Sequence, residues 1–133
     1  LDALVSKVVK AKNENKGEIE VWGTGIAIRE WLYVKDFARI IKETIANIDK
    51  IKIGTCINIA QNYGLSVREL IKIIIKYSEY SGKIKWNKNM PDGAPIKIMC
   101  NENFKTVFPD FEFTSLEDGI IATIEYYQSV YPY

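Results

Sequence analysis

The sequence predicts an α/β fold, and three observations predict it. Apolar residues at helical spacing alternate along the chain with short apolar or alternating runs, glycine-containing turns separate them, and two Ser-x-x-acid signatures open helices after such turns. The expected unit is small, with short strands and about five helices.

Leu1, Leu4, Val5, Val8 and Val9 fall at helical spacing, and a polar stretch follows until Gly17, so the chain opens with a surface helix. Residues 18–22 then alternate polar and apolar and end at Gly23-Thr24-Gly25. Two glycines suit a tight reversal, which predicts a hairpin into a second strand over residues 30–34. Residues 35–47 carry Phe37, Ile40, Ile41, Thr44 and Ile45 on one face of a helix. Residues 57–60 form a short apolar strand candidate, closed by Gln61-Asn62-Tyr63-Gly64.

Ser66 stands three residues before Glu69, the spacing at which hydroxyl and carboxylate satisfy free backbone donors, so a helix over 67–78 is expected. Residues 83–86 are a strand candidate, and Met90-Pro91-Asp92-Gly93-Ala94-Pro95 is a loop, because two prolines and a glycine suit no regular element. A short helix over 101–107 and a last one opened by Ser115, running to about residue 129, complete the order. Four short strands are too few for a complete doubly wound sheet. With no initiator Met and no leader-like start, the chain is expected to be a segment of a longer protein.

The 133 residues include 18 Lys and Arg against 17 Asp and Glu, interspersed, so no broad field exists to collect nucleic acid or an anionic membrane. Any anion is held locally. The most apolar stretch, residues 70–75, is interrupted by Lys72 and falls far short of the roughly 20 residues a span requires. Cys56 and Cys100 lie far apart, and the chain has no His, which excludes a His-based triad, a Cys-His pair and a zinc site. Reduced thiols in a cytoplasmic setting are the expectation.

Four side chains are candidates for binding. Arg29, beside the glycine turn, can fork two hydrogen bonds onto a diphosphate, or form a salt bridge with Glu30 or Asp36. Trp22 can pack in the core, or offer its indole for stacking and hydrogen bonding. Asp92 can form its own turn, or accept hydrogen bonds from a sugar or a base. Lys97 can neutralise a phosphate, or remain solvated. No catalytic residue is assigned: no Tyr precedes a Lys by four positions, no Gly-x-x-Gly-x-x-Gly occurs, and the acidic residues are placed mainly on polar helix faces.

The run Val21-Trp22-Gly23-Thr24-Gly25-Ile26-Ala27-Ile28-Arg29-Glu30-Trp31-Leu32-Tyr33-Val34-Lys35-Asp36 resembles the downstream segment of extended short-chain dehydrogenases, the NAD-dependent epimerase/dehydratase family. Its Arg-Glu-Trp-Leu-Tyr-Val-x-Asp core is shared by dehydratases and 4-epimerases. A Trp before the Gly-x-Gly turn, with Pro91-Asp92-Gly93-Ala94-Pro95 and Lys97, is similar to the GDP-L-fucose synthase group. In that group an Arg usually stands where this chain has Ile96, and an Asp where it has Cys100.

The resemblance implies the C-terminal portion of a Rossmann-like enzyme, with residues 1–133 as the substrate-binding region and the N-terminal Rossmann cofactor domain absent from this chain. It implies that Trp22 and Arg29 contact the substrate, Arg29 at its diphosphate, and that Asp92 binds the nucleotide-sugar from its loop. The parent would be a cytoplasmic, homodimeric, NADP-dependent GDP-4-keto-6-deoxyhexose 3,5-epimerase/4-reductase acting on a GDP-linked deoxy-sugar, with no cofactor bound by this segment alone. Its Tyr and Lys pair, cofactor glycines and epimerising acid and base would lie outside these residues. A related enzyme on another nucleotide sugar, such as a GDP-deoxyheptose, and a non-catalytic sugar-nucleotide-binding or interaction module are the alternatives.

Overall fold

The computed structural model describes residues 1–52 and 54–133. In chain order the elements are α1 (Asp2–Asn13), β1 (Glu18–Trp22), β2 (Ile28–Glu30), α2 (Val34–Ala46), a single 3-10 turn (Ile48–Lys50), β3 (Gly64–Ser66), α3 (Val67–Ser78), β4 (Lys83–Asn87), β5 (Ile96–Lys97), α4 (Glu102–Val107) and α5 (Leu116–Ser129). The α/β class and the five helices are as expected.

Apolar spacing makes the main core. Val5, Val8 and Val9 of α1, Leu70 and Ile74 of α3, and Ile120 and Ile124 of α5 are buried together with Ile19 of β1. These three helices pack on one another, and α1 also lies against β1. A second, smaller cluster gathers Ile40, Phe104 and Phe108, with Ile57, Ile59, Phe111 and Phe113 packed against it. At α3 the capping box forms as the spacing required: Ser66 Oγ accepts from the Glu69 amide at 3.2 Å, and the Glu69 carboxylate accepts from the Ser66 amide at 2.8 Å.

The strands form two sheets. β1 runs parallel to β4, with Val21 opposite Trp86, and β2 lies between β3 (antiparallel) and β5 (parallel). The expected hairpin after Trp22 is therefore corrected: β1 and β2 belong to different sheets, and the glycine turn carries the chain from one to the other. The β1–β4 ladder continues one step past Trp22 through the Gly23 amide, which donates to the Asn87 carbonyl at 2.9 Å.

Two strand expectations also change. The second strand is Ile28–Glu30 rather than 30–34, since its partners end at Glu30 and the chain is already helical at Val34. Residues 57–60 join no ladder among the described residues. Flanking carboxamides bind this segment and its neighbour instead: Asn103 donates to the Cys56 carbonyl, Asn101 to that of Ala60, and Asn58 to that of Cys100.

α2 turns only Asp36 and Ile40 fully inward. Val34, Phe37, Ile41 and Ile45, with Ile48 beyond its end, are exposed along one side of the helix. Asp36, fully buried at 0% exposure, accepts from the Thr114 amide and hydroxyl, each at 2.8 Å, and from Arg39 at 2.9 Å, so it ties α2 to the lead-in of α5.

Core and clip respond differently to truncation. Leu70→Ala removes a fully buried side chain and is expected to cost about 2–5 kcal/mol. Asp36→Ala orphans an amide and a hydroxyl, while half-exposed Arg39 returns to water, and is expected to cost about 1–3 kcal/mol. Urea denaturation of both variants checks the order.

Candidate functional site

The site is built on the turn between β1 and β2 and the loop between β4 and β5. Gly23 and Gly25 have φ of +79° and +77°, a region that side-chain-bearing residues rarely adopt. Space demands glycine as well. A Cβ on Gly23 would lie 2.3 Å from an Asp92 carboxylate oxygen, and one on Gly25 would lie 2.3 Å from the Trp86 ring.

Asp92 reaches across to the turn. Its carboxylate accepts from the Thr24 amide at 2.7 Å, the Thr24 hydroxyl at 2.6 Å and the Gly25 amide at 3.2 Å. Arg29 reaches the other way: Nη1 donates to the carbonyls of Ile28 and Ala94, both at 2.7 Å, and Nη2 to that of Asp92 at 2.9 Å. The Ile28 amide also donates to the Pro95 carbonyl at 2.8 Å. Asp92 in the loop thus binds the backbone of the turn, and Arg29, in β2 just beyond the turn, binds the backbone of the loop.

The structure brings Arg29 and Asp92 together through these bonds, and places Lys97 opposite Arg29 in the β2–β5 register. Trp22, the residue before Gly23, is 63% exposed, so it does not pack in the core. Arg29 forms neither of the salt bridges considered for it: Asp36 pairs with Arg39, and the Glu30 carboxylate accepts from the amides of Gln61, Asn62 and Met99. Asp92 caps a turn distant in sequence rather than its own. Arg29 has five N–H donors, of which Nε–H and one on Nη2 face no partner among the described residues.

The Thr24 hydroxyl, then the amides of Thr24 and Gly25 and the Arg29 charge, hold the Asp92 carboxyl below its ordinary value, against a partial loss of solvation. The donors of the glycine turn converge on this carboxylate, so a negative charge already stands where a phosphate would sit. The turn does not fit the pyrophosphate of a dinucleotide. No group of three or more His, Cys, Asp or Glu is gathered for a metal ion among the described residues.

Sequence reasoning missed Thr24, Glu30, Asp36, Arg68 and Trp86. Arg68 donates through Nε to the Thr24 carbonyl at 2.6 Å, and its guanidinium lies 4.7 Å over Trp86. Glu30 and Asp36 stood inside the quoted motif, but nothing local announced that their partners are distant backbone amides.

Residues 1–60 match the NAD dependent epimerase/dehydratase family. The chain is 32% identical over 130 residues to a GDP-L-colitose synthase from Yersinia pseudotuberculosis, covering 96% of this chain and 40% of that protein. It is 30% identical over 127 residues to GDP-L-fucose synthase 1 from Arabidopsis thaliana, covering 96% of this chain and 38% of that one. Its fold is similar to that of a GDP-L-fucose synthetase from Naegleria fowleri, with a TM-score of 0.82, 22% identity and coverage of 97% and 39% of the two chains. A GDP-mannoheptose C4 reductase from Campylobacter jejuni with NADP bound superposes with a TM-score of 0.75 at 24% identity, covering 96% and 43%. The chain thus spans about two fifths of the length of the curated relatives it matches.

Because the Asp92 carboxyl is held below its ordinary value of 3.8, the clip contributes fully above that pH and is lost as pH falls through the lowered value. Amide NMR spectra are expected to show Thr24 and Gly25 titrating together below pH 3.8, and Asp92→Asn is expected to abolish that titration.

Proposed function

We propose that the chain is a segment of an NAD dependent epimerase/dehydratase, whose family model its residues 1–60 match, and that it is the sugar-nucleotide-binding part of an NADP-dependent GDP-4-keto-6-deoxyhexose 3,5-epimerase/4-reductase. The observation that carries this reading is the reciprocal clip, which fixes Arg29 with two donors unspent and Lys97 beside it. Relatives named for GDP-L-colitose and GDP-L-fucose synthesis support the substrate class.

The geometry supports a role for each residue. The unspent Arg29 donors and the Lys97 ammonium meet the diphosphate, and Trp22 offers an exposed indole to a ring or a hydroxyl. Asp92 keeps the loop in place for both, and its Oδ2, which among the described residues accepts only from the Thr24 hydroxyl, has capacity to accept from the ligand. Binding at these groups, remote from the reacting carbon, holds the sugar in line for chemistry performed elsewhere.

Hydride transfer belongs to an NADP-binding unit outside these residues. The exposed α2 side chains and the unladdered segment 57–60 suit docking onto such an α/β unit, one by apolar contact and the other by strand addition. Residues 1–133 are then the substrate-binding region. The parent is a homodimer in this proposal, and the exposed, unbridged Cys56 and Cys100 suit the reducing cytoplasm.

Calorimetric titration tests the reading. GDP-L-fucose is expected to bind the chain and a TDP-sugar to bind more weakly, with Arg29→Ala lowering GDP-sugar affinity about ten- to a hundredfold, as for losing a charged hydrogen-bond fork. Equal and negligible binding by the unaltered chain and the variant would overturn the assignment.

A further inference from the structure

The glycine turn has two sides, and only one has a role so far. Its amides, on Thr24 and Gly25, point to Asp92. Its carbonyls point to the start of α3: that of Thr24 accepts from Arg68 Nε at 2.6 Å, that of Gly25 from the Arg68 amide at 2.9 Å and that of Ala27 from the Val67 amide at 3.2 Å. The turn is gripped between a carboxylate that accepts from its amides and an arginine that donates to its carbonyls.

Arg68 is an exposed residue, and an arginine side chain left in water would spend its rotamer freedom elsewhere. Here the indole of Trp86 seats it. The guanidinium lies 4.7 Å over the ring, and Trp86 is fixed in β4 opposite Val21. A Cβ on Gly25 would come within 2.4 Å of two Trp86 ring atoms and 2.7 Å of the Arg68 Cγ, so the indole and the Arg68 stem both close on the turn.

We propose that Arg68, stacked on Trp86, is a positioning residue for the sugar-nucleotide site. By holding the Thr24 carbonyl it keeps the Thr24 amide and hydroxyl on Asp92, and through Asp92 it holds the 92–95 loop whose carbonyls orient Arg29. The ligand half of this inference rests on the function proposed above, whereas the hold on the turn stands on the geometry alone. The task needs a guanidinium. A planar group can lie flat on the indole while its edge donates in plane to a carbonyl, and a lysine ammonium cannot do both.

The test uses the 133-residue chain, read by amide hydrogen exchange in NMR and by GDP-L-fucose titration. Arg68→Ala is expected to speed exchange at Thr24 and Gly25 about three- to tenfold and to weaken the nucleotide sugar by a similar factor, the size of one hydrogen bond and one exposed stack. Exchange at Leu70 and Ile74 in the core is expected to stay unchanged, which separates positioning from general loss of stability. Arg68→Lys should behave like Arg68→Ala, Trp86→Leu should reproduce both effects, and Trp86→Tyr should keep most of the native protection. Native exchange at Thr24 and Gly25 in Arg68→Ala overturns the proposal, as does full recovery in Arg68→Lys. Arg68-dependent exchange in a chain that binds no GDP-sugar in any form supports the hold on the turn and overturns the proposed function instead.

Discussion

Charged side chains that bind backbone groups from distant loops hold this structure's irregular half in shape. Within the eight positions from Arg29 to Asp36, three such side chains fasten four remote stretches of backbone. Arg29 takes the carbonyls of Asp92 and Ala94, Glu30 the amides of Gln61, Asn62 and Met99, and Asp36 the amide of Thr114. Strands as short as β2, β3 and β5 supply few ladder bonds. Charge-assisted bonds, roughly twice as strong as neutral ones, take over where the ladders stop.

The same device explains why the site sits where it does. A turn of alternating positive-φ residues turns successive N–H groups to one side, a concavity that elsewhere in proteins takes anions. Here an aspartate from the neighbouring loop fills it. The consequence is a division of labour between charges of one small region: Asp92 is committed to the fold of the turn, and Arg29, only partly committed to the fold of the loop, keeps donors for something else. Under the proposed function a truncation at either residue acts on geometry and on binding together, so affinity losses there must be measured beside a readout of the turn itself.

Local chemistry was legible in the sequence and long-range pairing was not. The helices at 2–13, 67–78 and 116–129 followed from apolar spacing and from Ser66 and Ser115, because a helix and its cap are settled within a few residues. The hairpin after Trp22 was the wrong inference because two glycines fix a turn's shape without saying which strand pairs with which. β3 and β5, at three and two residues, are too short to show alternation. Arg29 and Asp92 could be named as polar residues beside turns, but their bonding across 63 residues of sequence has no local signal. Thr24 and Arg68 were hidden for the same reason.

The two places where the chain departs from the pattern of the group it resembles, Ile96 and Cys100, fall where the fold uses only backbone. Ile96 pairs with Ile28 through the β2–β5 ladder and leaves its side chain 62% exposed, and Cys100 offers its carbonyl to Asn58 while its thiol stays at the surface. Neither architecture nor clip depends on what these side chains are. Their effect is confined to whatever approaches from solvent: an isoleucine at 96 takes a cation from the rim next to Arg29 and Lys97, and a cysteine at 100 takes an anion from the segment that follows. The positive charge of this rim is therefore gathered on Arg29 and Lys97, and the two departures alter what the face presents to solvent while the backbone pairing beneath them stays the same.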